Sequence, residues 1–433
     1  MSAVDATAPA ATPRAIAATA VGNMLEWYDF VVYAQFAGQI AANFFPGADA
    51  NTRLIKSFLA FGVGFLVRPL GAVLLGGYGD RAGRKPALTM TILLMAVGTG
   101  IIALSPTYAV IGLGAPLLLL LGRVLQGLSA GGEVGGAAAY LFESAAAGRR
   151  GRSASWLQAS MGMANIVGAL VAFSVTGLLG TGQVTAWGWR IPFLVGLLIV
   201  PAGVFLRRAL DETPSFEREA GRRRAARSPP APLRDMVRHH GRGMAVGSCV
   251  AALWATSSYV LVIFLPTYVQ RPDTYGFTAS QAFGASLIGN ILLVTSAVVF
   301  GHLSDRVGRR TVLGASAALL LVGVMPMFIW LRAVPSTTTL IVVQAAMCLA
   351  VAGIGGIAPA ALADLFPTSV RTTGIAIIYN IAFALFGGFA PAILTWLTRR
   401  PGGALFAPAW YVMLTALIAL IALPFLKDRM RVL

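Results

Sequence analysis

The sequence predicts an all-α membrane protein with about twelve spanning helices in two related halves. Three observations lead to this fold class. Of the 433 residues, 57% are hydrophobic and 11% are charged, with a mean hydropathy of +0.77, whereas soluble domains carry about a quarter charged residues. Apolar stretches of about 18 residues or more, long enough to cross ~30 Å of hydrocarbon, recur along the whole chain. A charged motif also occurs twice, at matched places in the two halves.

The apolar stretches predict the helices in order along the chain. We place the spans at residues 16–45, 54–78, 87–105, 112–142, 153–178, 190–209, 244–269, 280–303, 311–332, 338–364, 371–397 and 405–426. The first stretch is long enough to span, so it predicts no cleavable signal peptide. The polar, basic stretch after the sixth span predicts three units: an N-terminal bundle over 1–210, a middle loop over 211–242 and a C-terminal bundle over 243–433.

The basic residues predict the orientation in the membrane. With an even number of crossings, both termini lie on one side. Of the 33 Lys and Arg residues, 24 fall on that side, seven on the other, and two, Arg68 and Arg123, inside spans. Because cytoplasmic loops carry an excess of basic residues, we predict a multi-pass protein of a bacterial inner membrane with cytoplasmic termini. The net charge of +17 then reflects topology and not nucleic-acid binding.

The repeated motif has the pattern G-x-x-x-D-R-x-G-R-[KR]. It runs from Gly76 to Lys85 and again from Gly301 to Arg310, 225 residues later, and each copy ends the second span of its half. Glycine allows a tight turn, and the acid can meet a helix N-terminus or a basic group. We therefore predict two gating loops. Their charged residues are Asp80, Arg81, Arg84, Asp305, Arg306 and Arg309.

The paired loops resemble the signature of the major facilitator superfamily, and other segments are similar to its metabolite:proton symporter family. Those segments are 22–30 (GNMLEWYDF), 64–71 (GFLVRPLG), 123–127 (RVLQG) with 131–133 (GGE), 187–193 (WGWRIPF) and 212–214 (ETP). The resemblance covers nearly the entire chain. It implies the major facilitator fold, with two pseudo-symmetric six-helix bundles, alternating access and uptake coupled to proton influx. Members of the family carry citrate and related carboxylates, 2-oxoglutarate, shikimate, or betaine and proline.

Ionisable residues inside spans are the main candidates for function, because charge in lipid is expensive. The predicted set is Glu26 and Asp29 in helix 1, Arg68 in helix 2, and Arg123 and Glu133 in helix 4. Helical spacing places the polar residues of each helix on one side, where they form a stripe. The stripe of helix 1 consists of Asn23, Glu26, Asp29 and Tyr33, and that of helix 4 consists of Arg123, Gln126, Glu133 and Tyr140. We expect both stripes to face a central cavity, since facing lipid would leave these groups unpaired.

Each buried charge has two interpretations. Glu26, Asp29 and Glu133 are candidate proton carriers, but a helix 1 acid could simply neutralise an arginine, and Glu133 could pair with Arg68 or the Asp80 loop. Arg123 either binds an anion or couples protons, or it forms a structural pair with a helix 1 acid. Arg68 either holds a carboxylate with both ends of its guanidinium or has a packing role.

Other polar residues inside spans are candidate substrate ligands. The set is Tyr33, Gln126, Tyr140, Gln158, Asn165, Tyr379 and Asn380, with Tyr259 and Asn290 as further cavity residues. Each has an alternative role in helix–helix hydrogen bonding. Trp254 and the Gly387–Gly388 pair are more typical of packing.

The substrate is predicted by resemblance. The segments 140–143 (YLFE), 155–156 with 159–160, 266–268 (PTY) and 386–388 with Pro391 resemble the citrate and tricarballylate branch more than the betaine branch, although Leu157 and Met161 depart from it. We expect a proton-coupled importer of a small di- or tricarboxylate, citrate-like first. A betaine- or proline-type osmolyte, or another organic acid, is the alternative.

Other function classes are disfavoured. Residues 161–168 in helix 5 lack the Gly-Pro element of drug–proton antiporters, and no segment is large enough for an added signalling domain. The three histidines and two cysteines show no metal-ligand spacing, and no catalytic constellation is evident. We therefore predict a monomeric transporter without enzymatic activity, metal or cofactor, whose partners are the small carboxylate, protons and the lipid bilayer.

Overall fold

A computed structural model describes residues 13–47, 49–82, 84–131, 133–146, 148–198, 233–367, 370–399 and 405–426. In this part of the chain all regular secondary structure is helical, which confirms the predicted all-α class. Nine helices among these residues are long and apolar enough to cross a membrane, and shorter apolar helices run over Thr89–Leu104 and Gly188–Leu198. The end of the predicted sixth span and residues 211–232 of the middle loop lie outside the described residues.

The first half contains helices that we number by span. The segments are α1 (Pro13–Gln35, then Ala37–Phe44), α2 (Ala50–Leu66, then Arg68–Ala82), α3 (Arg84–Leu104), α4 (Gly114–Ala130, then Glu133–Glu143), α5 (Arg150–Ala154, then Trp156–Leu178) and α6 (Gly188–Leu198). Short helices Tyr108–Ile111 and Thr181–Ala186 lie in the connections. The break in α2 falls at Val67, so Arg68 is the first residue of its second segment.

The second half continues the numbering. The segments are α7 (Leu233–Ser257, Ser258–Phe264, Leu265–Gln270), α8 (Ala279–Val307), α9 (Arg309–Ala333), α10 (Thr337–Gly355, then Ala358–Asp364), α11 (Arg371–Ala382, Phe383–Gly388, Ala390–Thr398) and α12 (Ala407–Ala422, with Leu423–Phe425 as a 3₁₀ turn). Residues 233–242 of the predicted middle loop are helical and belong to α7. The division into units 1–210, 211–242 and 243–433 stays a prediction.

Helices α7 and α11 each contain a π-helical segment, Ser258–Phe264 and Phe383–Gly388. Such segments insert an extra residue into the helical turn and are frequent at functional sites. The apolar composition of both segments predicts regular helical spans, without these interruptions. Tyr259 and Phe383 lie in these segments and turn towards α1.

The outer surface of the helices is apolar. Val73 is 73% exposed, Val322 72% and Ile421 64%, although each lies within a long helix. A water-soluble protein rarely exposes many large apolar side chains in continuous stretches. This surface therefore suits contact with hydrocarbon, while the polar residues of the spans are directed inward.

Helices α2 and α4 pack backbone to backbone through glycines. A Cβ atom at Gly127 would lie 2.0 Å from the carbonyl oxygen of Gly64, and one at Gly131 would lie 2.0 Å from that of Arg68. Small residues permit such close approach between membrane helices. This contact fixes the height of Arg68 relative to Arg123 on α4.

We expect Gly127→Ala to destabilise the protein by about 1–3 kcal/mol, because the added methyl group must push α2 and α4 apart. Thermal unfolding in detergent measures the effect as a lowered melting temperature. Gly136→Ala on the same helix is the matched control, since a Cβ there meets no atom within 4 Å. Equal melting temperatures for the two variants would contradict the packing argument.

Candidate functional site

Arg68 and Glu26 form an ion pair at the centre of the molecule. Their side chains are 0% and 4% exposed, and Nη2 of Arg68 lies 3.5 Å from Oε1 of Glu26. The guanidinium carbon of Arg68 is 4.5 Å from the ring centre of Phe30 and 4.3 Å from that of Phe65, a cation–π arrangement. Within the described part of the chain, none of its three nitrogens meets a hydrogen-bond acceptor. The buried cation therefore has donor capacity for a further anion.

An aromatic cluster from both halves of the chain faces this ion pair. It consists of Trp27 on α1, Tyr259 on α7, and Tyr379 and Phe383 on α11. The ring of Tyr259 lies 5.8 Å from Trp27 and 5.9 Å from Phe383, and Tyr379 stacks on Phe383 at 3.9 Å. All four side chains are at most 2% exposed. The ion pair thus lies where the two halves meet.

A second polar group lies inside the first half, between α1, α3 and α4. Asp29 accepts a hydrogen bond from the hydroxyl of Thr99, and Nε2 of Gln126 lies 3.4 Å from the same carboxylate oxygen. Oε1 of Gln126 in turn accepts from Nη1 of Arg123 at 2.8 Å, and Nη2 of Arg123 donates to the carbonyl oxygen of Phe61 at 3.2 Å. Asp29 and Arg123 are therefore linked through Gln126.

Phe30 separates the two arginines. Its ring centre lies 4.5 Å from the guanidinium carbon of Arg68 and 4.6 Å from that of Arg123. Arg123 also lies 4.6 Å from the ring of Tyr33 and 5.0 Å from that of Phe61. Because interactions between charges are strong in a poorly solvated interior, a change in the counter-ions of one arginine affects the other across this single phenyl ring.

The predicted stripe on α1 is buried, and the stripe on α4 is buried at Arg123 and Gln126 and half-buried at its other two residues. Residues of one stripe contact different helices. On α1, Asn23 donates to Ser160 of α5 at 2.7 Å, whereas Tyr33 donates to the carbonyl oxygen of Ser57 on α2 at 3.0 Å. Helical spacing identifies which residues share one side of a helix, and it cannot tell which neighbour each of them meets. Of the described acids of α1, Glu26 pairs with Arg68, whose guanidinium carbon lies 5.9 Å from the ring centre of Trp27 in the aromatic cluster.

The structure also distinguishes between the alternatives for Arg68, Arg123 and Glu133. The ion-pair partner of Arg68 is Glu26, while Glu133 is half-buried and accepts from Thr91 of α3 at 3.4 Å. Glu133 therefore does not pair with Arg68. Its alternative pairing with the Asp80 loop falls on side chains outside the described part of the structure and stays a prediction. A direct pair between Arg123 and a helix 1 acid is replaced by the link through Gln126.

The remaining predicted ligands are spread along the interface. Oε1 of Gln158 accepts from Nε1 of Trp254 at 2.6 Å, joining α5 to α7, and Asn380 of α11 donates to the carbonyl oxygen of Gly131 at 2.9 Å. Asn165 is buried on α5, and Tyr140 is half-buried near the end of α4. Three residues of the site, Thr99, Trp27 and Phe30, are not among the predicted ligands. The latter two lie within the family-like segment 22–30, whereas Thr99 carries no comparable sequence signal.

Charged groups close one end of the interface, which we call the basic face because the predicted loops there carry most of the basic residues. Asp305 at the end of α8 accepts hydrogen bonds from the backbone N–H groups of Gly151 and Arg152, at 2.7 and 2.9 Å. Nη1 of Arg309 lies 3.3 Å from Asp305, and the same guanidinium pairs with Asp364 of α10. The acid of the second motif thus meets both a helix N-terminus and a basic group.

A second charged bridge lies beside it. Arg371 at the start of α11 pairs with Glu143 at the end of α4, with 2.6 Å between Nη1 and Oε1. Arg306 of the second motif is exposed. The side chains of Asp80, Arg81 and Arg84 in the first motif lie outside the described part of the structure.

Weaker contacts join the halves at the opposite face. Nδ2 of Asn51 on α2 lies 3.4 Å from Oδ2 of Asp273 after α7, and Nη1 of Arg399 lies 3.5 Å from the hydroxyl of Thr52. Deeper in the interface, the hydroxyl of Thr267 donates to the carbonyl oxygen of Ala34 at 3.1 Å. Both ends of the interface therefore carry contacts between the halves, and the central ion pair is enclosed between them.

We expect Asp305→Asn to open the basic face. The substitution removes the charge that holds the N–H groups of Gly151 and Arg152, and a hydrogen bond to a charged group contributes about 1.5–3 kcal/mol. Ser155 lies fully buried behind this contact, so Ser155→Cys in a Cys249→Ser background reports opening by its rate of reaction with a maleimide. The rate should rise by about tenfold or more. Arg306→Gln, one residue away and exposed, is the control. Unchanged labelling of the Asp305 variant would contradict the assignment.

Comparison with known proteins identifies the fold and the family. The profile of the sugar (and other) transporter family matches residues 15–236 and 234–429. The chain is similar to the xylose transporter XylE from E. coli in a partially occluded inward-open conformation, with a TM-score of 0.76 at 16% identity, covering 95% of this chain and 97% of that one. This likeness confirms the major facilitator fold.

Sequence relatives of known activity cover nearly the whole chain. The citrate-proton symporter of Salmonella typhi is 37% identical over 98% of this chain and 96% of its own length. That of Klebsiella pneumoniae is 36% identical over 98% and 94%. A glycine betaine/proline/ectoine/pipecolic acid transporter of Dickeya dadantii is 35% identical over 96% and 83%. The chain is thus a multi-pass membrane transporter and not an enzyme, and it belongs to the sugar (and other) transporter family of the major facilitator superfamily, among the metabolite:proton symporters that its motifs predict.

Proposed function

We propose that this transporter imports a small di- or tricarboxylate, citrate-like first, together with protons by alternating access. The observation that carries the proposal is the buried guanidinium of Arg68, which faces Glu26 at 3.5 Å and has no hydrogen-bond acceptor among the described residues. A guanidinium fork matches a carboxylate in geometry as well as charge. A substrate carboxylate would replace Glu26 as the counter-ion of Arg68.

Charge balance provides the coupling. The centre holds two cations, Arg68 and Arg123, and two acids, Glu26 and Asp29, so it is neutral when both acids are ionised. Protonation of one acid leaves an excess positive charge, and an arriving carboxylate restores neutrality. An uncompensated charge in a closed interior is costly. The transporter can therefore change conformation when its centre is empty or holds both substrate and proton. It cannot do so when the centre holds only a proton or only substrate.

Asp29 is the proposed proton carrier. Within the described part of the chain, the hydrogen-bond partners of its carboxylate are the neutral side chains of Thr99 and Gln126, and Gln126 links it to Arg123. Protonation of Asp29 would therefore leave the positive charge of Arg123 uncompensated. Arg123 and Arg68 are separated by the ring of Phe30. Glu26 is the second acid able to accept a proton, because it loses its counter-ion when Arg68 binds the substrate carboxylate. Two such acids allow a substrate with two ionised carboxylates.

The gates and the orientation complete the proposal. The basic face is the cytoplasmic side of a bacterial inner membrane, following the distribution of Lys and Arg. The Asp305 and Arg371 contacts would open to release substrate into the cytoplasm, and the Asn51 and Arg399 contacts would open to admit it. The first six and last six helices would rock as units, and the monomer contains a complete site.

Uptake into proteoliposomes tests the proposal. Purified protein should accumulate labelled citrate when an inward proton gradient is imposed, and tricarballylate and succinate should compete. Abolishing the gradient with a protonophore is the control and should stop accumulation without stopping citrate exchange. Accumulation of betaine or proline alone would contradict the carboxylate assignment.

A quaternary-ammonium osmolyte is the second candidate, and a specific feature favours it. Glu26 pairs with Arg68, whose guanidinium carbon lies 5.9 Å from the ring centre of Trp27, and the rings of Tyr259 and Phe383 pack around Trp27. Aromatic rings with an acid can hold a quaternary ammonium group by cation–π contact. The osmolyte-transporting relative of Dickeya dadantii is also consistent with this candidate. The same uptake assay distinguishes the two substrates.

A further inference from the structure

Three donors in the aromatic cluster lack hydrogen-bond partners. Within the described residues, no acceptor meets the hydroxyls of Tyr259 and Tyr379 or the indole Nε1 of Trp27. The three side chains are at most 2% exposed, so water does not readily satisfy them. Native proteins leave few buried polar groups unpaired, and such exceptions often have a functional reason.

These donors face the proposed carboxylate anchor from the other side. The guanidinium carbon of Arg68 lies 4.3 Å from the ring centre of Phe65 and 5.9 Å from that of Trp27. The ring of Tyr259 lies 5.3 Å from Phe65 and 5.8 Å from Trp27, and Tyr379 stacks on Phe383 beside it. Arg68 lies on α2 of the first half, whereas the tyrosines lie on α7 and α11 of the second half. A ligand between them would touch both halves at once.

We infer that Tyr259 and Tyr379 bind a second acceptor group of the substrate, and so select di- and tricarboxylates over monocarboxylates. The inference rests on the proposed function, in which Arg68 binds the first carboxylate. A monocarboxylate would satisfy Arg68 and leave both hydroxyls unpaired. A site built to hydrogen-bond a substrate group discriminates strongly against analogues that lack it, because its own buried donors then stay unsatisfied.

The π-helical segments provide the means of adjustment. Tyr259 lies in one segment, and Tyr379 stacks on Phe383 of the other at 3.9 Å. The extra residue in each turn weakens the regular ladder of backbone hydrogen bonds at that point. The two tyrosines can therefore shift to admit a ligand without unwinding the rest of α7 or α11.

Binding affinities of single tyrosine variants test the inference. Kd values for citrate, succinate and acetate are measured by ligand-induced thermal stabilisation of purified wild type, Tyr259→Phe and Tyr379→Phe. We expect each variant to weaken citrate and succinate binding by roughly tenfold, the effect of one lost hydrogen bond to a charged group, and to leave acetate binding within twofold of wild type.

Tyr268→Phe on α7 is the matched control, because the Tyr268 hydroxyl donates to the carbonyl oxygen of Leu405 away from the centre. Its affinities should equal those of the wild type. The inference would be overturned if both variants bound citrate with the wild-type Kd, or if their Kd for acetate rose as much as that for citrate. Neither result would contradict the proposed transport of citrate. A wild type that binds betaine and no carboxylate would instead overturn the proposed function.

Discussion

Replacing Arg68 by lysine should reduce citrate uptake by about 100-fold or more. Lysine keeps the positive charge beside Glu26, but it offers a point charge in place of a planar fork and cannot hold a carboxylate at two points. Loss of a buried, charge-assisted contact of about 3 kcal/mol corresponds to this factor. Initial rates of citrate uptake and of citrate exchange should fall together, because both require the substrate to bind.

The matched control for this variant is Arg190→Lys. Arg190 stacks on Trp189 and donates to the carbonyl oxygen of Ser105 at 2.9 Å, away from the centre. Its uptake should stay within about twofold of wild type, in line with a hydrogen bond of ~0.5 kcal/mol. An Arg68→Lys protein that unfolds at the wild-type temperature and transports citrate at the wild-type rate would contradict the role of Arg68 as anchor.

Replacing Asp29 by asparagine should abolish proton-driven accumulation but preserve exchange. Asparagine has nearly the same shape as aspartate and keeps the contacts to Thr99 and Gln126. It is always uncharged, as Asp29 is when it carries a proton. The centre then binds a carboxylate without needing a proton, so labelled citrate should exchange across the membrane yet never exceed its external concentration. Parallel measurements of counterflow and of accumulation under an imposed proton gradient separate the two effects.

Asp49→Asn is the control for this charge removal. Asp49 caps the start of α2, and hydrogen bonds from Thr52 lower the pKa of its exposed carboxyl below the usual range. Because its pKa is lowered, Asp49 stays ionised from neutral pH down to that lowered pKa. It therefore neither takes up nor releases a proton at the near-neutral pH of the uptake assay. Its variant should accumulate citrate like the wild type. Loss of exchange together with accumulation in Asp29→Asn would contradict a separate proton role.

The fold was predictable from the sequence because a bilayer leaves few alternatives. Apolar length, basic loops and the repeated motif sufficed for the all-α class and the family. The helix interruptions were not predictable in the same way. The π segments of α7 and α11 and the break at Val67 preserve the apolar composition of their spans, so hydropathy does not distinguish them from regular helix.

The residues of the candidate site were predictable in type but not in pairing. Intramembrane charge alone pointed to Glu26, Asp29, Arg68 and Arg123, since such residues are costly unless they have a role. Which acid meets which arginine depends on how α1, α2 and α4 are rotated against one another, and a single helix's periodicity does not contain that information. Thr99 was overlooked for the same reason, because it becomes notable only through its contact with Asp29.

Citrate binding followed by calorimetry in buffers of different ionisation enthalpy tests the central claim most directly, because the buffer dependence reports protons taken up on binding. If the four central charges balance one another, binding of citrate to the wild type takes up protons, and both Asp29→Asn and Glu26→Gln reduce that uptake while still binding citrate. Proton uptake that is the same in the wild type and in both variants would contradict the account.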